Sequence, residues 1–322
     1  MEVLAVRNMR ISLRKGRKSV ELLSGVDLKI NTGEIVGIAG ESGSGKTITI
    51  LSLTKLLPED VIEVKFDDYR INGVKTEEVQ IPYLRGRFIS YVFQDPLPSL
   101  DPMFTIGYQF KEIYTSLDKE YKEEEVISVL NKVGLKEANR ILKSYPHQLS
   151  GGMAQRVAIA LALVTGCKVL VADEPTTALD ASLKKSILDL LSSLRQENTL
   201  SIFFISHDLN QVFYLCDYIY IFYAGRIMEC GPKGGIRSNP FHPYTRALLR
   251  CVPKRGDREF SQIPGRAPDI KSPPSGCRFH PRCEHAGSVC QEREPDLIEV
   301  KKAHFVRCHL FGNGDSKSRK TQ

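Results

Sequence analysis

Two short stretches hold residue types at spacings that suit phosphate chemistry. The first is GESGSGKT, residues 40–47, directly after the apolar run IVGIA. Gly40-x4-Gly45-Lys46-Thr47 has the spacing of a phosphate loop set between a strand and a helix. Its glycines let the backbone turn so that successive N–H groups, those of Ser42, Gly43, Ser44 and Gly45, face one anion. The helix that follows, expected over about residues 45–57, presents its positive end to the same charge. Lys46 is placed to reach the β- and γ-phosphates, and the Thr47 hydroxyl to ligate Mg²⁺. The second stretch is KVLVADEP, residues 168–175, an apolar run ending in two carboxylates. Asp173 is placed to hold Mg²⁺ through water, and Glu174 to orient or deprotonate the attacking water. Together they imply a nucleoside triphosphatase.

A third stretch, LSGGMAQR, lies between them at residues 149–156. Ser150 is a good N-cap, Gly151 and Gly152 leave backbone N–H groups uncovered, and an amphipathic helix over about 152–164 follows. One chain hydrolysing one nucleotide hardly needs two anion sites so far apart. A head-to-tail pair of chains could use both, each covering the other's γ-phosphate.

The elements that must position these residues alternate. Strand-sized apolar runs at 34–39, 168–175 and around 202–206 alternate with helical patterns, which predicts a doubly wound α/β core with the nucleotide at the carboxyl ends of its strands. The chain of 322 residues suits one large and one small domain. Its balance of 45 basic against 38 acidic residues fits an anionic ligand or membrane surface but is too weak to argue for nucleic acid. The N-terminus MEVLAVRNMR has no apolar signal region, and no run approaches the ~18 apolar residues of a membrane span. A cytosolic chain with reduced thiols is expected.

At LSGGMAQR the sequence resembles the ATP-binding cassette (ABC) family, over about residues 1–232. The resemblance implies a cassette fold: a RecA-like core, an antiparallel β subdomain, and a helical subdomain at about 95–165. It implies ATP as the nucleotide. Gln94 in FQDP matches the family's Q-loop, which meets Mg²⁺ and the membrane subunit. Asp180 matches the D-loop at the dimer interface, and His207 in FFISHD the switch histidine that contacts the γ-phosphate. The family stacks adenine on an aromatic ring upstream of the phosphate loop, yet no Phe, Tyr or Trp precedes Phe66. Arg14 or Arg17 could stack a guanidinium plane instead.

ESGSGKT, FQDPLPSLDP and DEPTTALD are similar to the ATPase subunits of oligopeptide and dipeptide importers. So are NPFHPYTRALL (239–249) and IPGRAPDI (263–270), in a C-terminal extension expected over 233–322. The first reads as a short amphipathic helix docking the tail, the second as part of an extended, packed linker over about 252–276. This branch implies two membrane permease subunits, a second ATPase subunit (the same chain or a related one), and indirectly an extracytoplasmic substrate-binding protein. The place implied is the cytoplasmic face of the membrane. Sugar and nickel importers share the pattern, and non-transport cassettes of translation or DNA repair are the other reading. Those commonly carry two cassettes or a coiled-coil insertion, and this chain shows neither.

The extension ends in Cys277-x5-Cys283-x6-Cys290-x17-Cys308. Four clustered thiols in a reducing compartment suggest metal rather than disulfides. The set lacks CxxC knuckles, and four thiolates suit a [4Fe–4S] cluster, as in some peptide-importer ATPases. His280, His285, His304 and His309 keep a mixed Zn²⁺ site open, and a metal-free tail is the third possibility.

Overall fold

A computed structural model describes residues 1–16, 18–177, 179–198, 200–252 and 262–311. Its strands, in chain order, are β1 (Glu2–Lys15), β2 (Lys18–Asn31), β3 (Ile35–Ala39), β4 (Ile62–Lys65), β5 (Asp68–Ile71), β6 (Val74–Lys75), β7 (Ile89–Val92), β8 (Val169–Asp173), β9 (Ser201–Ser206), β10 (Tyr218–Tyr223), β11 (Arg226–Pro232), β12 (Leu297–Lys301) and β13 (His304–Arg307). Among the described residues they form two sheets. One is antiparallel, in the order β2-β1-β5-β6 with β4 also on β1; the other runs β12-β13-β11-β10-β3-β9-β8-β7.

Strands β10, β3, β9, β8 and β7 are parallel. Every residue of β3, β8 and β9 is buried, as a sheet covered on both faces requires. Alternate side chains go to opposite cores. Val36, Ile38, Val169, Val171, Phe203 and Ile205 pack on the antiparallel sheet, against Leu4, Met9, Leu23 and Val26. Ile35, Ala39, Leu170, Ala172, Ile202 and Phe204 share a second cluster with Val157 and Leu191 from helices, and with Tyr244 and Phe279 from the tail. The expected helical subdomain contains the helices Pro96–Ser99, Ile106–Ser116, Glu123–Lys132, Ala138–Lys143 and Gly151–Val164.

The strand register sets the site. Ala39 lies beside Ser206, Asp173 beside Ile205, and Val92 beside Ala172. The residues just past those strand ends, Gly40, His207, Glu174 and Gln94, therefore emerge along one edge.

The tail does more than follow the cassette. Its hairpin β12–β13 extends the large sheet through β11, with Glu229 opposite Val306 and Cys230 opposite Phe305. The helix Pro243–Arg250 docks as FHPYTRALL suggested, by Tyr244, whose ring stands 4.6 Å from Tyr223 and 5.2 Å from Phe279. A buried carboxylate locks this junction. Glu229 accepts from the N–H groups of Phe241 (2.7 Å) and His242 (2.9 Å) and pairs with His304 Nε2 (2.7 Å). The expected linker at 252–276 lies partly outside the described residues.

Candidate active site

The phosphate loop joins β3 to the helix Lys46–Ser52. That helix is shorter than the expected 45–57. Thr49 and Ser52 hydroxyls bond back to the carbonyls of Gly45 and Ile48, and Lys55 takes a left-handed φ of 52°, which ends the turn. Two glycines are dictated by geometry. A Cβ at Gly40, where φ is 148°, would meet the Phe222 carbonyl oxygen at 2.1 Å, and Gly45 begins the helix at φ 101°. Lys46 folds back over the loop, its Nζ donating to the carbonyls of Gly40 (2.8 Å) and Glu41 (2.9 Å). Burial lowers its pKa, opposed by the nearby carboxylates of Glu174, Asp173 and Glu41.

The strand ends supply the carboxylates. Asp173 is buried, and burial raises its pKa even though Thr47 hydrogen-bonds to it. Its Oδ1 has no hydrogen-bond partner. An orphaned carboxylate oxygen beside the Thr47 hydroxyl, at the mouth of a phosphate loop, is a donor set that fits Mg²⁺ with its water shell. Glu174 sits at a strained φ of 46°. Its Oε1 lies 3.0 Å from His207 Nδ1, and its Oε2 accepts from Thr177 Oγ1 at 2.9 Å. Burial pushes the Glu174 carboxyl up, but the bonds from His207 and Thr177 outweigh it and hold the group below the ordinary glutamate value. The result is a pre-aimed, ionised carboxylate facing the phosphate end, able to accept a proton from water.

One cleft of about 830 Å³ brings together Gly40, Ser42, Gly43, Gly45, Lys46, Thr47, Gln94, Glu174 and His207. Ser44 lies just beneath, buried, its carbonyl accepting from Gly225 N–H at 2.8 Å. Ser150, Gly151, Gly152 and Asp180 do not line this cleft. Ser150 caps the helix Gly151–Val164 through Met153 N–H, and Asp180 caps the next helix through the N–H groups of Ser182 and Leu183. Leu179 and Leu183 touch the faces of Gly151 and Gly152, so the second anion site and the expected D-loop form one neighbouring surface.

Thr177 was not foreseen, although it stands in the DEPTT stretch. Nor was the role of Glu41, the first variable residue of the phosphate loop. Its carboxylate is gripped by Arg282 from the tail (2.7 and 3.1 Å), and its N–H donates to the Tyr244 hydroxyl at 3.0 Å. Arg14, expected as an adenine partner, instead pairs with Glu63 (3.1 Å) and lines a separate groove with Lys55, Leu57 and Glu59. Long, exposed arginines on an antiparallel strand find the facing strand's carboxylates first. Arg17 lies outside the described residues.

The four tail cysteines are unpaired and line a second cavity of about 210 Å³. Among the described residues no three of His, Cys, Asp and Glu converge on a point that could hold one metal ion. Neither the expected [4Fe–4S] cluster nor the mixed zinc site therefore has a converged ligand set among the described residues; His304 is taken by Glu229, and His309 Nε2 lies 2.7 Å from the Arg293 carbonyl. Burial raises the Cys277 thiol to about 12 and the Cys308 thiol to about 11, and each feels others of the set. His242 lines the same cavity. Its Nδ1 accepts from Tyr244 N–H (2.9 Å), so the proton sits on Nε2, which is buried without a hydrogen-bond partner. The four thiols and the His242 ring share one void, a donor set that in kind suits a multi-atom cluster.

Comparison with known proteins identifies the family. The ABC transporter family matches residues 23–177, and the oligopeptide/dipeptide transporter C-terminal region matches residues 228–290. The dipeptide transport ATP-binding protein DppD of Bacillus subtilis is 37% identical over 334 residues, covering 98% of this chain and 99% of its own. The oligopeptide transport ATP-binding protein OppD of the same organism is 36% identical over 318 residues, 96% of this chain and 89% of its own. Among solved structures, the cassette MJ0796, a dimer in a post-hydrolysis state bound to ADP and Pi, matches with a TM-score of 0.60 at 27% identity, over 71% of this chain and 98% of that one. A cassette core carrying both matched regions, with relatives aligned over nearly its whole length, belongs to the ABC transporter family, in its oligopeptide/dipeptide-type ATP-binding branch.

Proposed function

We propose that this chain is the ATP-hydrolysing subunit of a peptide importer, held peripherally on the cytoplasmic face of a membrane by two permease subunits. The observation that carries the reading is the convergence of Lys46, Gln94, Glu174 and His207 on one cleft while Ser150–Gly152 lie outside it. Loop N–H groups and Lys46 bind the phosphates of ATP. Thr47, Gln94 and Asp173 would hold Mg²⁺, which when bound neutralises charge on the β- and γ-phosphate oxygens. Glu174 takes the proton of the attacking water, and His207 aims Glu174 and reaches toward the γ-phosphate. Ser150, Gly151 and Gly152 act on the nucleotide of a second ATPase subunit, with Asp180 beside them at the shared interface. The dimeric state of MJ0796 supports this pairing.

Permease docking is supported by the surface around Gln94. Phe93, Leu97, Met103, Phe104 and Tyr108 are all exposed there, and a groove of about 580 Å³ lined by Tyr91, Phe93, Leu100 and Ile113 opens beside them. Among the described residues no helix is long and apolar enough to cross a membrane. The relatives' names give oligopeptides and dipeptides as their cargo, and delivery by an extracytoplasmic binding protein is part of this proposal. Sugar or nickel carriage has no such support.

Cys277, Cys283, Cys290 and Cys308 are proposed to hold a [4Fe–4S] cluster, which when bound cross-links the tail. The role proposed for it is structural or regulatory, not electron transfer in turnover.

Two experiments test these readings. Glu174→Gln should lower ATP turnover by about 10²–10⁴-fold while ATP binding is kept; turnover within threefold of wild type would refute the assignment. Anaerobically purified chain should carry about four iron and four sulfide, lost in Cys283→Ser; zinc, or no metal at all, would remove the cluster.

A further inference from the structure

A triphosphate accounts for the polar lining of the nucleotide cleft but not for the wall beside the loop. That wall is lined by Leu22, Leu248, Ile270 and Lys271. Ile270 stands closest to the loop. Its Cδ1 lies 3.0 Å from where a Cβ on Gly45 would be, nearer than Leu23 Cδ1 at 3.3 Å. Its side chain therefore covers the start of the helix Lys46–Ser52.

The segment bearing Ile270 is fixed in place. Arg282 donates from Nε to the Pro264 carbonyl (2.7 Å) and from Nη2 to the Ile263 carbonyl (3.3 Å), with the same guanidinium that grips Glu41. Asp269 then forms a tight turn, its Oδ1 accepting from Lys271 N–H and its carbonyl from Ser272 N–H, each at 2.9 Å. This holds Ile270 and Lys271 toward the cleft. No Phe, Tyr or Trp lines the cleft among the described residues, so a flat heterocycle seated beyond the phosphates meets branched aliphatic side chains instead. Such surfaces hold a base by dispersion and exclusion of water.

We infer that the segment Ile263–Lys271 is part of the nucleotide site: Ile270, backed by Leu22, packs against the base of ATP, and Lys271 adds a cation at the rim. This rests on the assignment of the cleft to ATP. The tail thereby supplies the base-binding surface that the N-terminal strands lack.

The full-length chain can be probed in two ways. Photolabelling with 8-azido-ATP should place the adduct within residues 262–276. Calorimetry with ATP and with inorganic tripolyphosphate, which has no base, should separate wall from loop. Ile270→Asp should weaken ATP about tenfold and tripolyphosphate less than twofold, and Ile270→Tyr, which can stack, should tighten ATP severalfold. The inference fails if the adduct lies only in residues 10–16, if both ligands weaken equally, or if Ile270→Asp tightens ATP, which would mean the side chain occupies the base's place. Wild-type chain that binds neither ligand would instead remove the cleft assignment itself.

Discussion

The phosphate loop sets residues of one consecutive stretch, 40–47, along one cleft, whereas the cysteine cavity collects side chains from positions between His242 and Leu310. In the loop the chemistry is done mostly by backbone N–H groups, so glycine spacing and one lysine suffice to specify it. In the cavity the chemistry is done by side chains alone, and the scaffold must be folded before they meet. Arg282 and Tyr244 bridge the two regions by holding Glu41. One region is a local motif set on a rigid sheet; the other is a tertiary construction fastened to it.

The largest effect expected separates the regions cleanly. Lys46→Ala should weaken ATP more than 100-fold by calorimetry, because a charge-assisted contact to phosphate is lost. Melting of the nucleotide-free chain should not fall, since this lysine is buried against carbonyls at a desolvation cost. A large drop in melting temperature would show that the loop is held by its lysine as much as by the sheet, and would erase the contrast.

The next effect concerns His207. Removing it as His207→Ala should lower turnover at every pH by at least about tenfold. It should also move the acid limb of kcat to higher pH. The sign follows from Glu174: burial raises that carboxyl, and the His207 bond is the leading influence that lowers it. Without the bond, the Glu174 carboxyl shifts up and the base protonates sooner. An acid limb that stays in place, measured at saturating ATP, would leave Glu174 independent of His207.

What the sequence disclosed follows the same division. The strand–loop–helix at 35–52, the carboxylates at the end of β8, and the histidine after β9 were legible as positions because each is written in neighbouring residues and each strand is nearly all apolar. YIYIFYAGRIMECG reads as a hairpin turning at Ala224-Gly225, and both residues take positive φ in the turn between β10 and β11. The early end of the helix after Lys46 was not, since it depends on hydroxyl back-bonding and a left-handed Lys55. Nor was the tail's hold on Glu41. Nothing near Arg282 in PRCEHAG marks a partner in the phosphate loop, and IPGRAPDI reads as linker until the sheet folds and carries it to the cleft. The cysteines were conspicuous as a group, but His242 entered their cavity only because Glu229 fixes its backbone.

A smaller effect tests the bridge. Arg282 is almost fully buried, and Glu41 is a quarter exposed. Arg282→Ala leaves that carboxylate unpaired beside the phosphates, at a cost of about 2–3 kcal/mol. Thermal melting should fall by roughly 5 °C, and ATP should bind about tenfold more weakly. Adding Glu41→Gln should restore most of the ATP affinity, because the repulsion is gone. No rescue would mean that Arg282 acts only by placing the Ile263–Lys271 segment.

The smallest effect is Tyr244→Phe, which removes a single acceptor from the Glu41 N–H and keeps the ring that packs on Tyr223 and Phe279. An unmet N–H at a partly buried site costs about 1 kcal/mol, so ATP affinity should fall two- to threefold with little change elsewhere. The double variant Tyr244→Phe/Arg282→Ala decides what kind of bridge this is. Both side chains act on the same residue, one on its backbone and one on its carboxylate, so the two losses should not add. Once Arg282 is gone, Glu41 is free to shift and its N–H can find water, and removing the tyrosine hydroxyl should then cost almost nothing. Strict additivity in calorimetry would mean that the loop's backbone and its acidic side chain are held separately, and that the tail touches the nucleotide site at two independent points.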